Sequence, residues 1–239
     1  MTLYDAAKIR ISRRSYDGRA LTESDAQILC ETVGRLNKES GLCMRLCVGE
    51  GNAFKKLRNT YGMFSGVNNY IILAGKDSVD TVEKLGYYGE KAALTAVSMG
   101  MGTCFVGATF DKSVAKEFLS DGEAMYGVVT VGYISDESVK EKFIRGAIRM
   151  KKRTVRDVVE VTGDAPVWFW DGVESALLAP SARNLFPTVF NWNNGTVTAS
   201  VPDKYMYQRM DLGIAKLHFE LAVEGDWEFS NNGRFFKHV

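Results

Sequence analysis

Two long apolar segments constrain the fold of this chain more than any other feature of its sequence. One runs from Gly86 to Gly102 and the other from Asp211 to Gly225, and in both the apolar residues recur at helical spacing before a closing glycine. Helices with so much apolar surface must be buried among other elements. We therefore predict two core helices, over about residues 87–101 and 211–224, with the rest of the chain packed around them.

The segments around these helices predict both strands and further helices. Short apolar runs at 43–50, 68–76 and 124–134 are typical of strands, and the Asn194-Gly195 and Asn232-Gly233 pairs predict tight hairpins. A helical pattern covers residues Tyr4 to Arg14, and a second helix is expected after Thr22, an N-cap residue with Asp25 at the third helical position. Together these patterns predict an α+β fold with a largely antiparallel sheet flanked by helices.

Composition restricts the class of protein. The 239 residues are 46% hydrophobic and 25% charged, as in an ordinary globular protein with one large domain or two small ones. No apolar run reaches the roughly 18 residues that cross a bilayer, and the first residues lack a signal-peptide pattern, so we expect a cytoplasmic protein with no membrane partner. The four cysteines form no CxxC pair and only two histidines occur, which argues against a metal site and for free thiols.

A basic segment near the middle of the chain stands out from the near-neutral total charge of +1. Residues 142–156 contain seven basic residues and no acidic one. Such a run can be a solvated helix face or a nucleic-acid-binding surface. The small net charge and the lack of a recognised nucleic-acid motif lead us to expect no nucleic-acid partner.

Three polar segments are candidates for a binding site. Arg13, Arg14 and Ser15 follow the first helix, and Lys151 and Arg153 alternate as they would along one side of an extended chain. Arginine, lysine and serine donors suit a phosphate dianion. The third segment, LAPSARNLFPTVF from residue 178 to 190, holds two of the four prolines in the chain. Its prolines predict a rigid polar loop that could contact a planar ring or a polyol chain.

Taken together, the three segments resemble the FMN-dependent nitroreductase family. In that family an RxS segment and a KxR segment hold the FMN phosphate, an APSxxNxQPW loop contacts the flavin from the other subunit of a homodimer, and a loop after the central helix lies beside the flavin ring. The resemblance implies FMN as the cofactor and a nitroreductase-like fold. The cofactor-binding residues that it implies are Arg13, Arg14, Ser15, Gly107, Ala108, Thr109, Lys151, Arg153, Pro180, Ser181, Arg183 and Asn184.

The order of the segments differs from the family pattern. The proline loop, which the family places before the central helix, here follows the KxR segment, and Phe186 and Thr188 replace the usual Gln and Trp. We interpret the chain as two related halves forming a pseudo-dimer, like the branch of the family with two fused halves. Residues 1–162 would carry the phosphate site and the central helix, and residues 163–239 the proline loop and the second core helix.

The resemblance also implies a reaction. NAD(P)H would deliver hydride to the flavin, which would reduce a small electron-poor acceptor such as a nitroaromatic or a quinone-like compound, in a monomer or weak homodimer. No catalytic residue is evident in the sequence; His218, on an apolar helix, is typical of a core histidine. A non-catalytic flavin-binding or storage protein, or another flavin reaction in the same fold, remains open, as do the physiological acceptor and the choice between NADH and NADPH.

Overall fold

The computed structural model describes residues 1–55, 63–134, 141–143, 146 and 153–238. The helices in these ranges are α1 (Leu3–Ile9), α2 (Glu23–Ser40), α3 (Asn52–Lys55), α4 (Val79–Ser98), α5 (Lys112–Lys116), α6 (Val167–Ala176) and α7 (Met206–Ala222). The strands are β1 (Arg45–Val48), β2 (Asn69–Lys76), β3 (Gly102–Val106), β4 (Glu123–Gly132), β5 (Val159–Thr162), β6 (Val189–Asn193), β7 (Thr196–Ser200), β8 (Gly225–Trp227) and β9 (Gly233–Lys237).

The strands form two sheets with helices packed against them. The first has the order β1-β2-β4-β3 and is antiparallel throughout; the second has the order β5-β6-β7-β9-β8 and is antiparallel except for the β5–β6 pair. The prediction of an α+β fold with a mostly antiparallel arrangement is therefore confirmed. A parallel β5–β6 pair was not predicted, because strand orientation depends on the path of the connection between strands and leaves no local pattern.

The two predicted core helices are present as α4 and α7, and they pack against each other more extensively than any other helix pair described. Glycine permits this close crossing. A Cβ on Gly86 would overlap the carbonyl oxygen of Met210, and a Cβ on Gly213 would overlap the carbonyl oxygen of Glu83. Each helix therefore places a glycine where the backbone of the other approaches.

Both core helices begin earlier than predicted. The helix α4 begins at Val79 rather than near residue 87, after the N-cap Ser78, whose hydroxyl accepts a hydrogen bond from the backbone N–H of Thr81 at 3.2 Å. The helix α7 begins at Met206 rather than near residue 211. The first turns carry polar residues and weak apolar periodicity, so hydrophobic spacing alone placed both starts too late.

Turn and cap chemistry was predicted well. Asn194 and Gly195 adopt positive φ values of 45° and 98° between β6 and β7, as a two-residue hairpin turn of this kind requires. Asn232 has a φ of 68° in the turn between β8 and β9. At the start of α2 the hydroxyl of Thr22 accepts a hydrogen bond from the N–H of Asp25, which confirms Thr22 as the N-cap.

The first helix is shorter than predicted. It ends at Ile9 instead of continuing to Arg14, and the chain then extends along β3. Ser12 forms a parallel bridge with Thr103, and the backbone N–H of Arg13 donates to the carbonyl oxygen of Thr103 at 2.9 Å. The basic segment is thereby held in extended conformation beside β3.

The core joins both sheets in one cluster. Ile71 and Leu73 of β2 belong to the same buried cluster as Phe190 of β6 and Phe219 of α7. The strand β5, which ends at the predicted boundary between the halves, pairs with β6 beyond it. The division into two related halves at residue 162 stays a prediction. None of the described helices combines the length and apolar character needed to cross a bilayer.

Candidate functional site

A cavity of about 740 Å³ lies where the two predicted halves meet. One side comes from β3, the loop that follows it, and the extended segment around Ser12 and Arg14; the other comes from the proline loop and the first turns of α7. Its size falls in the range of small-molecule and cofactor pockets, about 300–1,000 Å³. The wall is largely apolar and aromatic, with Phe64, Phe105 and Met210 among its residues.

More than half of the residues proposed from the sequence line this cavity. Those that line it are Arg14, Gly107, Ala108, Thr109, Pro180, Ser181 and Arg183. Arg13, Ser15, Arg153 and Asn184 are described but lie outside its wall, and Lys151 lies outside the described residues. The structure thus brings together three segments that are far apart in the sequence, from residue 14 to residue 183.

The neighbouring arginines Arg13 and Arg14 have different surroundings. The side chain of Arg13 is directed to Glu141, with its Nε 3.2 Å from Oε1 of that carboxylate. The guanidinium of Arg14 donates to the carbonyl oxygen of Ser12 at 3.3 Å and lines the cavity. Because successive residues of an extended chain point to opposite sides, only one of the pair can face the cavity.

Ser15 and Arg153 differ in solvent exposure. Ser15 is buried, with only 3% of its surface exposed, and forms a parallel bridge with Ser65. Arg153 is exposed, and its Nε approaches the carbonyl oxygen of Leu185 at 3.5 Å. Since Leu185 lines the cavity, Arg153 lies next to the cavity rim without forming its wall.

The proline loop has an unusual backbone conformation. Arg183, Asn184 and Phe186 adopt positive φ values of 55°, 54° and 42°. Residues other than glycine are strained in this region, at a cost on the order of 1–3 kcal/mol each, and such residues are concentrated at functional sites. Two side chains hold the loop: the Ser181 hydroxyl accepts from the Phe186 N–H, and an Asp211 carboxyl oxygen accepts from the Ala182 N–H, both at 2.9 Å.

The loop after β3 meets α7 directly. The hydroxyl of Tyr207 donates to the carbonyl oxygen of Gly107 at 2.9 Å. A Cβ at position 107 would come within 2.5 Å of the Tyr207 ring, so glycine is needed for this close approach. The contact joins the two sides of the cavity and sets the position of the backbone at 107–109.

The candidate residues from the sequence do not include Ser12, Tyr205, Tyr207 or Asp211, which are polar residues of the cavity wall. Asp211 is only 5% exposed, and burial raises the pKa of its carboxyl to about 7, although the hydrogen bond from the Ala182 N–H acts in the opposite direction. A lone acid within an apolar helical face was the available signal for Asp211. The two tyrosines carried no such signal, since aromatic residues at a helix start are common in cores.

His218 has a structural environment, as predicted. It is fully buried, and its Nε2 lies 2.9 Å from Oε1 of Glu90 across the two core helices. All four cysteines, Cys30, Cys43, Cys47 and Cys104, carry free thiols. Among the residues that the structure describes, no group of three or more His, Cys, Asp or Glu side chains is arranged to hold a metal ion.

Comparison with known proteins identifies similar sequences and folds. A family model described as "Putative TM nitroreductase" matches residues 2–223. The structure is similar to that of "a putative nitroreductase" from Thermotoga maritima, with a TM-score of 0.63 and 19% identity, covering 98% of this chain and 92% of the other. At this level of identity the match shows a shared fold over nearly the whole of both chains. No curated protein matches the sequence.

Other matches cover little more than half of this chain, with TM-scores below 0.5. An "FMN-dependent Nitroreductase" from Clostridium difficile is 11% identical, with a TM-score of 0.44, covering 56% of this chain and 88% of the other. A "Putative NADH Oxidase" from Clostridium acetobutylicum is 16% identical, with a TM-score of 0.44, covering 56% of this chain and 89% of the other.

Proposed function

Because this chain belongs to the "Putative TM nitroreductase" family, we propose that it is an FMN-dependent oxidoreductase. In this proposal it takes hydride from NAD(P)H and reduces a small electron-poor acceptor, nitroaromatic or quinone-like. The observation that carries the proposal is the single cavity in which the basic segment near Arg14, the 107–109 loop and the proline loop meet. These are three of the four kinds of segment that the resemblance assigns to a flavin site. Of the fourth, the KxR segment, Arg153 lies beside the cavity rim and Lys151 lies outside the described residues.

The residues of the cavity fit a flavin nucleotide. Apolar and aromatic side chains such as Phe105 and Met210 suit a planar ring system. Arg14 and Arg183 line the same cavity and offer forked donors for a phosphate. The backbone at Gly107 approaches the cavity without an intervening side chain, so its polar groups can reach a ligand.

Two assignments of the phosphate ligands can be distinguished. The resemblance assigns the phosphate to Arg13, Ser15, Lys151 and Arg153. The cavity geometry favours Arg14 and Arg183, since Arg13 is turned toward Glu141 and Ser15 is buried. We propose that Arg14 is the principal ligand from the first segment and that Arg13 holds the segment in place through Glu141.

When bound, FMN supplies hydride transfer between a reduced nicotinamide and the acceptor. In this proposal the protein's own residues bind the cofactor and orient the loops around it. Tyr207 fixes the loop at Gly107, Asp211 and Ser181 hold the proline loop, and the apolar wall keeps water from the ring. Because the wall draws on residues from both predicted halves, we propose that one chain builds one complete site, as a pseudo-dimer would.

The visible spectrum of the purified protein after addition of FMN tests this proposal. We expect about one FMN per chain, with a spectrum perturbed relative to free FMN. Under anaerobic conditions, NADH or NADPH should bleach the bound flavin, and a nitroaromatic or quinone should restore its colour. Bound flavin that neither nicotinamide bleaches would favour a storage or carrier protein, and colourless protein at saturating FMN would contradict the proposal.

Alanine variants of the arginines decide the phosphate assignment. Arg14→Ala should weaken FMN binding by about 10–100-fold, because a charge-assisted contact to the phosphate contributes roughly 1.5–3 kcal/mol. Riboflavin, which lacks the phosphate, should bind the variant and the unmodified protein alike. Arg35→Ala, on the exposed side of α2, is the matched control. A larger loss for Arg13→Ala than for Arg14→Ala, in folded proteins, would support the assignment from the resemblance instead.

A further inference from the structure

Asp211 presents an unsatisfied oxygen at the wall of the cavity. The residue is 5% exposed and lies in the second turn of α7. Its Oδ1 accepts the hydrogen bond from the Ala182 N–H at 2.9 Å, whereas its Oδ2 is buried and has no hydrogen-bond partner among the described residues. A buried polar atom without a partner is uncommon and costs on the order of 1–3 kcal/mol.

Asp211 forms no ion pair with any residue that the structure describes. The charged and titratable residues that line the cavity with Asp211 are Arg14, Cys104, Arg183, Tyr205 and Tyr207. The helix α7 also carries Arg209 and Lys216, whose partner Glu83 lies on α4. Arg209 and Lys216 both pair with Glu83, and Tyr207 donates to the carbonyl oxygen of Gly107. A carboxylate buried without a counter-ion is costly, so the neutral acid is favoured.

The neutral acid has one oxygen that accepts and one hydroxyl that donates. Oδ1 already serves as the acceptor for the loop, which leaves the proton on Oδ2 as an unpaired donor on a residue that lines the cavity. Burial supports this protonation state, because it brings the pKa of Asp211 to about 7. An acceptor atom on a ligand in the cavity would satisfy this donor.

We propose that Asp211 is a ligand-binding residue that acts as the neutral carboxylic acid, donating a hydrogen bond from Oδ2 to an acceptor atom of the flavin while Oδ1 holds the proline loop. The inference rests on the proposed function, since the ligand is taken to be a flavin. It makes binding dependent on protonation: raising the pH removes the donor and introduces a buried negative charge at the wall of the site.

The pH dependence of flavin affinity tests the role of Asp211. The dissociation constants of FMN and riboflavin are measured by quenching of flavin fluorescence from pH 6 to pH 9. Riboflavin carries no phosphate, so it separates the titration of the protein from that of the FMN phosphate. For the unmodified protein we expect the dissociation constant of both ligands to rise above pH 7, approaching about 10-fold per pH unit.

Asp211→Asn is the decisive variant, since its amide can accept from the Ala182 N–H and still donate to the ligand without titrating. It should bind both ligands at pH 6 within about threefold of the unmodified protein and lose little affinity by pH 9. Asp211→Leu, which lacks both functions, should bind weakly at every pH. Asp171→Asn on the exposed side of α6 is the matched control and should follow the unmodified protein.

The outcomes separate this inference from the proposed function. FMN binding that is independent of pH in the unmodified protein, or equally dependent on pH in Asp211→Asn, would overturn the inference and leave the flavin proposal standing. A folded Asp211→Asn protein that fails to bind FMN at pH 6 would also overturn it, because a carboxyl group would then be required. If the unmodified protein binds no FMN at pH 6, both proposals fail.

Discussion

Asp211 and Lys216 are both buried on α7, yet their surroundings are opposite. The Lys216 ammonium donates to the carboxylate of Glu83 across the helix pair and to the carbonyl oxygens of Glu228 and Ser230, at 2.7 and 3.0 Å. Asp211 receives a single backbone N–H, and its second oxygen has no partner in the described part of the chain. One helix thus carries a satisfied buried charge and an unsatisfied buried acid.

The difference distinguishes two parts of α7, the second turn at Asp211 and the region around Lys216. Around Lys216 the groups on α4 and α7 pair with each other. Glu90 and His218, both fully buried, also meet at 2.9 Å across the two helices, although Glu90 Oε2 and His218 Nδ1 have no hydrogen-bond partner among the described residues. Burial without matched partners would be strongly destabilising there, so these contacts favour one register of the two helices. Around Asp211 the part of the chain that the structure describes offers no such partner for Oδ2, and we propose that a ligand in the cavity supplies it.

Breaking the satisfied pair should have the largest effect. Lys216→Met leaves Glu83 buried without its ammonium partner, although Arg209 remains 3.5 Å from the carboxylate. We expect a loss of about 3–5 kcal/mol in the free energy of unfolding, measured by urea denaturation. The double variant Glu83→Leu/Lys216→Met should recover most of the loss. If the double variant is as unstable as Lys216→Met, the loss of stability does not come from leaving Glu83 buried without its partner.

Removing the unsatisfied acid should stabilise the protein in a pH-dependent way. The pKa of Asp211 rises from 3.8 to about 7 on folding, so the folded state binds the extra proton between these values. The stabilisation that this proton contributes is therefore fully present below about pH 4 and is lost as the pH rises to 7. In the absence of flavin, the free energy of unfolding of Asp211→Asn should therefore rise relative to that of the unmodified protein between pH 4 and pH 7. The expected rise is on the order of 4 kcal/mol, since a shift of one pKa unit corresponds to about 1.36 kcal/mol.

The control for this experiment is Asp171→Asn, an exposed site where the same chemical change is made. Its difference in unfolding free energy from the unmodified protein should stay nearly constant from pH 4 to pH 7. A constant difference for Asp211→Asn as well would mean that its carboxyl is ionised in the folded state at neutral pH.

Forcing α4 and α7 apart should have the next largest effect. Gly213→Ala adds a Cβ that overlaps the Glu83 carbonyl oxygen, and we expect a loss of about 3 kcal/mol because backbone must move. Gly34 lies on the exposed side of α2, where an added Cβ has no neighbour within 4 Å. Gly34→Ala should therefore raise the free energy of unfolding by up to about 1 kcal/mol, because alanine favours the helix more than glycine does. Equal effects of the two variants in urea denaturation would contradict the close helix crossing.

The smallest effect concerns the contact that joins the two sides of the cavity. Tyr207→Phe removes the hydrogen bond to the Gly107 carbonyl while keeping the ring, and should cost about 1 kcal/mol of unfolding free energy. Tyr205→Phe, a neighbour that is 42% exposed, should change stability by less than about 0.5 kcal/mol. If the two variants are indistinguishable, the hydrogen bond does not contribute to holding the site together.

The amino-acid sequence by itself determined the fold class, the two core helices, the Asn-Gly hairpins, the cap at Thr22 and three of the segments that contribute to the cavity wall. These features depend on hydrophobic spacing, turn chemistry and short motifs, all of which act within a few residues of the chain. Only the tertiary structure decided which residue of each segment reaches the cavity. Arg14 rather than Arg13 lines the cavity, and Glu141, more than a hundred residues away, holds the Arg13 side chain on the other side of the extended segment. Asp211 and Tyr207 likewise join the site because α7 packs against α4 and the 107–109 loop, a long-range arrangement that the spacing of residues along the chain does not specify.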